Sequence, residues 1–145
     1  MRPYAVEAVL AGYLLILTAP MLEAFDGRII NVHHSDLLRR TPEGRARYPG
    51  LRAVRDAIRA GERETRATAH VVTAQLDEGP VLVQSSAYPV PPVAAWARER
   101  EDWDLLKAVV WAHQEWMLRD AWGPLLAGAL EMADALVRPR ALELV

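Results

Sequence analysis

Between Val6 and Thr18 the chain offers almost nothing to water. Apart from Glu7 at its edge, the run VEAVLAGYLLILT carries no charge and no polar alternation. A strand with one wet face alternates; a strand covered on both faces reads as a continuous apolar run. Arg28–His33 (RIINVH) repeats the pattern in short form, with apolar and β-branched residues in a row. Such strands belong in a sheet with layers packed on both sides.

The uncharged stretch 8–22 follows Arg2 and so mimics an export signal. Gly12 and Pro20 interrupt it, and it is shorter than the roughly 20 apolar residues of a membrane span. The expectation is a cytoplasmic protein with no membrane partner. A net charge of −2 argues against a generally basic nucleic-acid-binding surface. With no cysteine, a disulfide scaffold, a thiolate nucleophile and thiolate-bound zinc are excluded. The histidines at 33, 34, 70 and 113 lack metal-site spacing, so no metal is expected.

At 145 residues the chain is read as one domain. Its expected strands span 6–18, 28–33, 65–73 and 81–90, and a single helical turn is expected over 20–25. A helix over 51–60 sets Leu51, Val54, Ala57 and Ile58 on one face, and Gly61 closes it. From about 94 to 135 the pattern is helical: a short piece, a longer helix capped by Asp102 or Asp104, a stop at Gly123-Pro124, and a last helix over 125–135. The five tryptophans on these helices (Trp96, Trp103, Trp111, Trp116 and Trp122) are expected mainly in the core. A helix between the second and third strands and a helical C-terminus indicate an α/β layered fold.

Polar residues interrupt this scheme where they are costly. Asn31, the only asparagine, and His33 lie two apart on a buried strand and project to the same side. His33 opens a loop, where α/β folds commonly place reacting groups. Asp77 sits in the turn Leu76-Asp77-Glu78-Gly79-Pro80 between two strands. An amide, an imidazole and a carboxylate suit acyl transfer: donors for an oxyanion, and a group to orient the imidazole and move a proton. Each also has an ordinary structural use, in satisfying strand ends or forming an Asx-turn. Spacing alone leaves both readings open.

The segments AGYLLILT (11–18), GRIINVHHS (27–35), YPGLRAVRDAIRAGERET (48–65) and TAHVVTAQLDEGPVLVQ (68–84) resemble the folate-dependent formyltransferases, nearest to the phosphoribosylglycinamide branch. That family carries Asn-x-His-Pro-Ser after its core strand, a Pro-Gly-Leu before a helix, and a Thr-x-x-His-x-Val strand leading to Asp-x-Gly-Pro. The resemblance implies a truncated formyltransferase-type, Rossmann-like sheet with C-terminal helices. It implies formyl transfer from 10-formyltetrahydrofolate to an amine, with Asn31, His33 and Asp77 as the catalytic residues. It further implies folate contacts at Leu15, Leu17, His70, Thr73 and Gln75, partly through backbone atoms, and a substrate-hydroxyl contact at Glu115. His70 is equally readable as a satisfied strand histidine.

The sequence departs from the family pattern at three places. His34 replaces the motif proline and Asp36 the leucine that follows the motif. The loop over 34–50 is longer, with Arg39, Arg40, Arg45 and Arg47; a solvated basic loop is the plain reading, an anion site the sharper one. The family's nucleotide-binding first half, with its phosphate-cradling loop, has no counterpart, so a homodimer or an N-terminal partner is expected. Three readings follow: a formyltransferase catalytic half, a catalytically impaired folate-binding or regulatory protein acting as a dimer, or an assembly domain built on its tryptophan-bearing helices.

Overall fold

The computed structural model describes residues 9–11, 17–25 and 27–137. In chain order the elements are β1 (Val9–Ala11), α1 (Ala19–Ala24), β2 (Ile29–His33), α2 (Ala53–Ala60) and β3 (Glu64–Thr65). There follow β4 (Thr68–Val71), β5 (Val81–Gln84), β6 (Tyr88–Pro89), α3 (Val93–Glu99) and α4 (Trp103–Val137). The main sheet has the order β1-β2-β4-β5; β1 and β2 are parallel, and the other two pairs are antiparallel. β3 and β6 form a separate antiparallel pair.

Of the strand expected over 6–18, residues 9–11 form β1, while residues 6–8 lie outside the described residues. Residues 12–16 lie outside them, and Leu17 and Thr18 lead into α1, whose first turn holds Pro20. A proline there has its φ preset for a helix start.

The two long expected strands, 65–73 and 81–90, are each broken near the middle. The breaks face each other. Ala67 donates its N–H to Ser85 Oγ at 2.9 Å, and Ser85 N–H donates to Ala67 O at 2.9 Å. The chain therefore forms one bent hairpin, whose distal part is the β3–β6 pair.

Alternation along β2 and β4 sorts the two faces of the sheet. Ile30 and Val32, with Ala67 and Ala69, join Val54 and Ile58 of α2 and Leu106, Val109, Val110 and Met117 of α4 in one apolar core. The opposite face carries Asn31 opposite His70 and His33 opposite Thr68. A loop covers that face. Leu37 N–H donates to Thr68 Oγ1 at 3.3 Å, and the Thr68 hydroxyl donates to Ser35 O at 2.6 Å. Gln84 Nε2 donates to Asp36 Oδ1 at 2.7 Å.

α2 ends at Gly61 with φ +91°, as its position past the apolar stripe predicts. Arg98 of α3 donates to Ile58 O at 3.1 Å and caps the same helix end. Asp102 Oδ1 accepts the Leu105 N–H at 3.0 Å, so it is the cap of α4. Gly123-Pro124 does not stop α4, which runs through both residues. An interior proline costs about 3 kcal/mol. Burial of Ala121, Leu125 and Ala129 on one face, flanking the proline, offsets that cost.

The tryptophans are mostly outside the core. Trp96, Trp103, Trp111 and Trp116 are exposed and only Trp122 is half-buried. Guanidinium groups cover two of them: Arg100 lies 4.3 Å from the Trp96 ring centre and Arg59 lies 5.2 Å from that of Trp103. No helix among the described residues is long and apolar enough to cross a membrane.

Candidate active site

β2 ends at His33, and the polypeptide leaves the sheet there. Asn31 and His33 project from the loop-covered face, and His70 stands beside Asn31 on the neighbouring strand. Directly opposed residues of an antiparallel pair have Cβ atoms about 5 Å apart, which fixes the Asn31–His70 neighbourhood.

Asp77 arrives from the turn between β4 and β5. It adopts φ +53°, a left-handed conformation that side-chain-bearing residues seldom take. Two residues on, a Cβ on Gly79 would lie 1.7 Å from Val71 O. Only glycine lets this turn pack so closely on β4. The result is an almost fully buried carboxylate between two imidazoles: His33 Nε2 is 3.5 Å from Asp77 Oδ2, and His70 Nε2 is 3.7 Å from Oδ1.

The loop supplies the remaining contacts. Gly50 donates its main-chain N–H to Asp77 Oδ2 at 2.7 Å. Tyr48 O lies 3.3 Å from His33 Nε2, so that nitrogen carries the hydrogen in this arrangement. His70 Nδ1 lies 3.1 Å from Val71 O and is the donor there, which leaves the buried Nε2 as a bare acceptor beside Asp77. Burial pushes the His70 imidazole below its ordinary pKa; Val71 O and Asp77 oppose that shift. His34 is displaced further, down to about 4, first by burial and then by the charge of His33. Its ring stacks on Trp122 at 6.3 Å.

The predicted site residues divide into two groups. Asn31, His33, His70 and Asp77 gather on one face of the sheet. Thr73 and Gln75 lie on the segment leading to Asp77, joined by a bond from Thr73 Oγ1 to Gln75 O at 3.2 Å. Gln75 also borders a groove of about 640 Å³ with Arg45, Pro49 and Leu76. Leu15 lies outside the described residues, and Leu17 is half-buried between β1 and α1. Glu115 is on α4 and pairs with Arg119, 3.5 Å away and one helical turn on. No described contact joins Glu115 to the Asp77 cluster.

Three contributors escaped the sequence reading: Tyr48 O, the Gly50 N–H and Glu78. The first two act through the main chain, which residue type does not reveal. Three of the four loop arginines are also paired rather than free. Arg39 pairs with Glu62 and Asp36, Arg40 with Glu78, and Arg47 with Glu62. Among the described residues no group of three or more acidic or histidine side chains could hold a metal ion.

A family profile described as Formyl transferase matches residues 1–95. Phosphoribosylglycinamide formyltransferase of Escherichia coli K12 is 35% identical over 94 residues, which is 65% of this chain and 38% of that protein. Formyltetrahydrofolate deformylase of Synechocystis is 40% identical over 85 residues, covering 58% of this chain and 27% of that protein. The crystal structure of phosphoribosylglycinamide formyltransferase from Bacillus halodurans superposes with a TM-score of 0.55 at 25% identity, over 97% of this chain and 59% of the other. The chain thus spans well under half the length of these two curated relatives. With the profile matching well over half of the chain, this protein belongs to the formyl transferase family.

Proposed function

We propose that the chain catalyses formyl transfer from 10-formyltetrahydrofolate to an amine of the phosphoribosylglycinamide type. The observation that carries this reading is the buried Asp77 carboxylate beside His33, with Asn31 on the same sheet face. The donor supplies an activated formyl group. Asn31 and a protonated His33 stabilise the negative charge that develops on the formyl oxygen. Asp77 faces that imidazole and accepts the proton that the attacking amine loses, directly or through water; as the formyl carbon–N10 bond breaks, N10 takes up a proton and tetrahydrofolate leaves. His33 Nε2 faces Asp77 and Tyr48 O, which leaves Nδ1 for the reacting group.

Leu15, Leu17, His70, Thr73 and Gln75 are the proposed folate contacts. Of these, Gln75 lines the groove whose apolar walls are Leu76 and Pro49, which supports its part in the proposal. Glu115 is retained as the proposed contact to the acceptor's hydroxyls. Self-association is part of the proposal, supported by the exposed Trp111 and Leu118 seven residues apart on α4; sedimentation should show a dimer, and a monomer at working concentration argues against it.

One observation favours a second reading. The deformylase relative is 40% identical, against 35% for the E. coli transferase. In that reading water replaces the amine and the same three residues release formate. A single assay separates the two: 10-formyltetrahydrofolate is followed to tetrahydrofolate with and without glycinamide ribonucleotide, and formate is measured. Amine-dependent turnover supports transfer. Amine-independent formate release supports hydrolysis. Folate binding without either product supports a regulatory role.

A further inference from the structure

Arg40 and Ala46 form an antiparallel bridge within the long loop. Thr41 N–H donates to Arg45 O and Gly44 N–H to Thr41 O, both at 2.8 Å, closing a small hairpin. Both bridging residues meet one side chain. Ala46 donates its N–H to Glu78 Oε1 at 2.7 Å, and Arg40 donates to Glu78 Oε2. A glutamate that merely decorated a turn would keep its oxygens in water. Here each oxygen has a different partner from the same hairpin.

Glu78 directly follows Asp77. Aspartate tolerates φ +53° better than most side-chain-bearing residues, yet the conformation still costs energy that neighbouring contacts can offset. Behind the turn, Gly79 is pressed against Val71 O. In front, Gly50 from the far end of the same loop binds the Asp77 carboxylate. The loop therefore grips the turn at two successive residues, Asp77 by Gly50 and Glu78 by the hairpin. The Ala46 N–H, and then Arg40, hold the Glu78 carboxyl below the usual carboxylate range, so the grip is anionic at neutral pH.

We propose that Glu78 is a positioning residue: by clamping the Arg40–Ala46 hairpin it keeps Asp77 left-handed, with Oδ2 turned toward His33 and Gly50. Glu78 touches no reacting group and acts through Asp77. Its kinetic consequence rests on the proposed chemistry, but its structural consequence does not.

The test uses the full chain with Glu78→Ala, Glu78→Gln and Arg40→Ala. Amide exchange at Gly50 and Ala46 is measured by NMR, with kcat and KM for 10-formyltetrahydrofolate consumption. In Glu78→Ala the Gly50 amide should exchange roughly tenfold faster at unchanged global unfolding, because its acceptor has lost its hold. The kcat should fall roughly tenfold or more, as misplacement of a reacting group does; KM is no criterion here, because Glu78 and Ala46 also line the groove beside Gln75. Glu78→Gln keeps an acceptor for Ala46 and should recover most of both, while Arg40→Ala should fall between. If Glu78→Ala does not fold, Arg40→Ala alone decides, since it leaves the turn sequence intact. Unchanged Gly50 protection, or a lowered Tm with wild-type kcat, overturns the proposal. Absence of turnover in the wild type removes the proposed chemistry, yet Gly50 exchange still decides the role of Glu78.

Discussion

His33 Nε2 faces Asp77 Oδ2 at 3.5 Å, across a junction between the end of β2 and the turn after β4. The gap is long for a hydrogen bond and short for charge interaction. Unliganded reacting pairs often stand at such separations and tighten when substrate arrives. Asp77 Oδ2 is already fixed by Gly50, so the carboxylate keeps its aim while the imidazole can adjust.

Asp77→Asn should preserve the fold, because its amide oxygen can still accept from Gly50. It removes the carboxylate charge facing His33 and the acceptor for a moving proton. Turnover is expected to fall by about 10²–10⁴-fold with Tm nearly unchanged. Steady-state kinetics with thermal denaturation checks both; wild-type turnover in this variant would remove Asp77 from the chemistry.

Gly79→Ala is expected to be severely destabilising. Its Cβ would fall 1.7 Å from a main-chain oxygen of β4, which cannot rotate away. Overpacking of this kind costs about 1–3 kcal/mol or more. Urea denaturation should show a midpoint well below wild type, and an unchanged midpoint would mean that the turn relaxes freely.

Acid should weaken the fold partly through His34. In the unfolded chain it binds a proton near the ordinary 6.5, in the folded chain only near 4. Its contribution is present above pH 6.5 and declines as pH falls toward 4, by up to about 1.4 kcal/mol per pH unit. Burial lowers His70 and His113 in the same direction. His34→Phe keeps a ring over Trp122 and should flatten the loss of stability between pH 7 and 5. An identical pH dependence in that variant would contradict the assignment.

Tyr88 ties β6 to α4 by donating its hydroxyl to Asp120 Oδ2 at 2.7 Å. Burial first, then this bond, raises its pKa to about 12. The tether is complete below the ordinary pKa near 10 and is lost as pH rises through about 12. Tyr88→Phe should cost about 1.5–3 kcal/mol at neutral pH and reduce the alkaline loss. Chemical denaturation at pH 7 and pH 11 makes the comparison.

The sequence was informative where chemistry and periodicity agreed. Asn31 and His33 could be placed on one face because a strand alternates, and Asp77 because a tight turn needs a glycine two residues later. Glu78 was not legible, because its partners belong to a hairpin that only the folded loop brings near. Tryptophan exposure was not legible, because helical position does not show that the guanidinium groups of Arg100 and Arg59 lie over Trp96 and Trp103 at the surface. Pro124 misled because local propensity yielded to the apolar face of Ala121, Leu125 and Ala129.

The most direct test of the formyl-transfer site is turnover of 10-formyltetrahydrofolate by Asn31→Ala beside wild type. Asn31 is half-buried, and its loss leaves the apolar core untouched. The account predicts a folded variant whose kcat is about 10²–10³-fold lower, as removal of an oxyanion donor produces. A folded Asn31→Ala protein with wild-type turnover would contradict it.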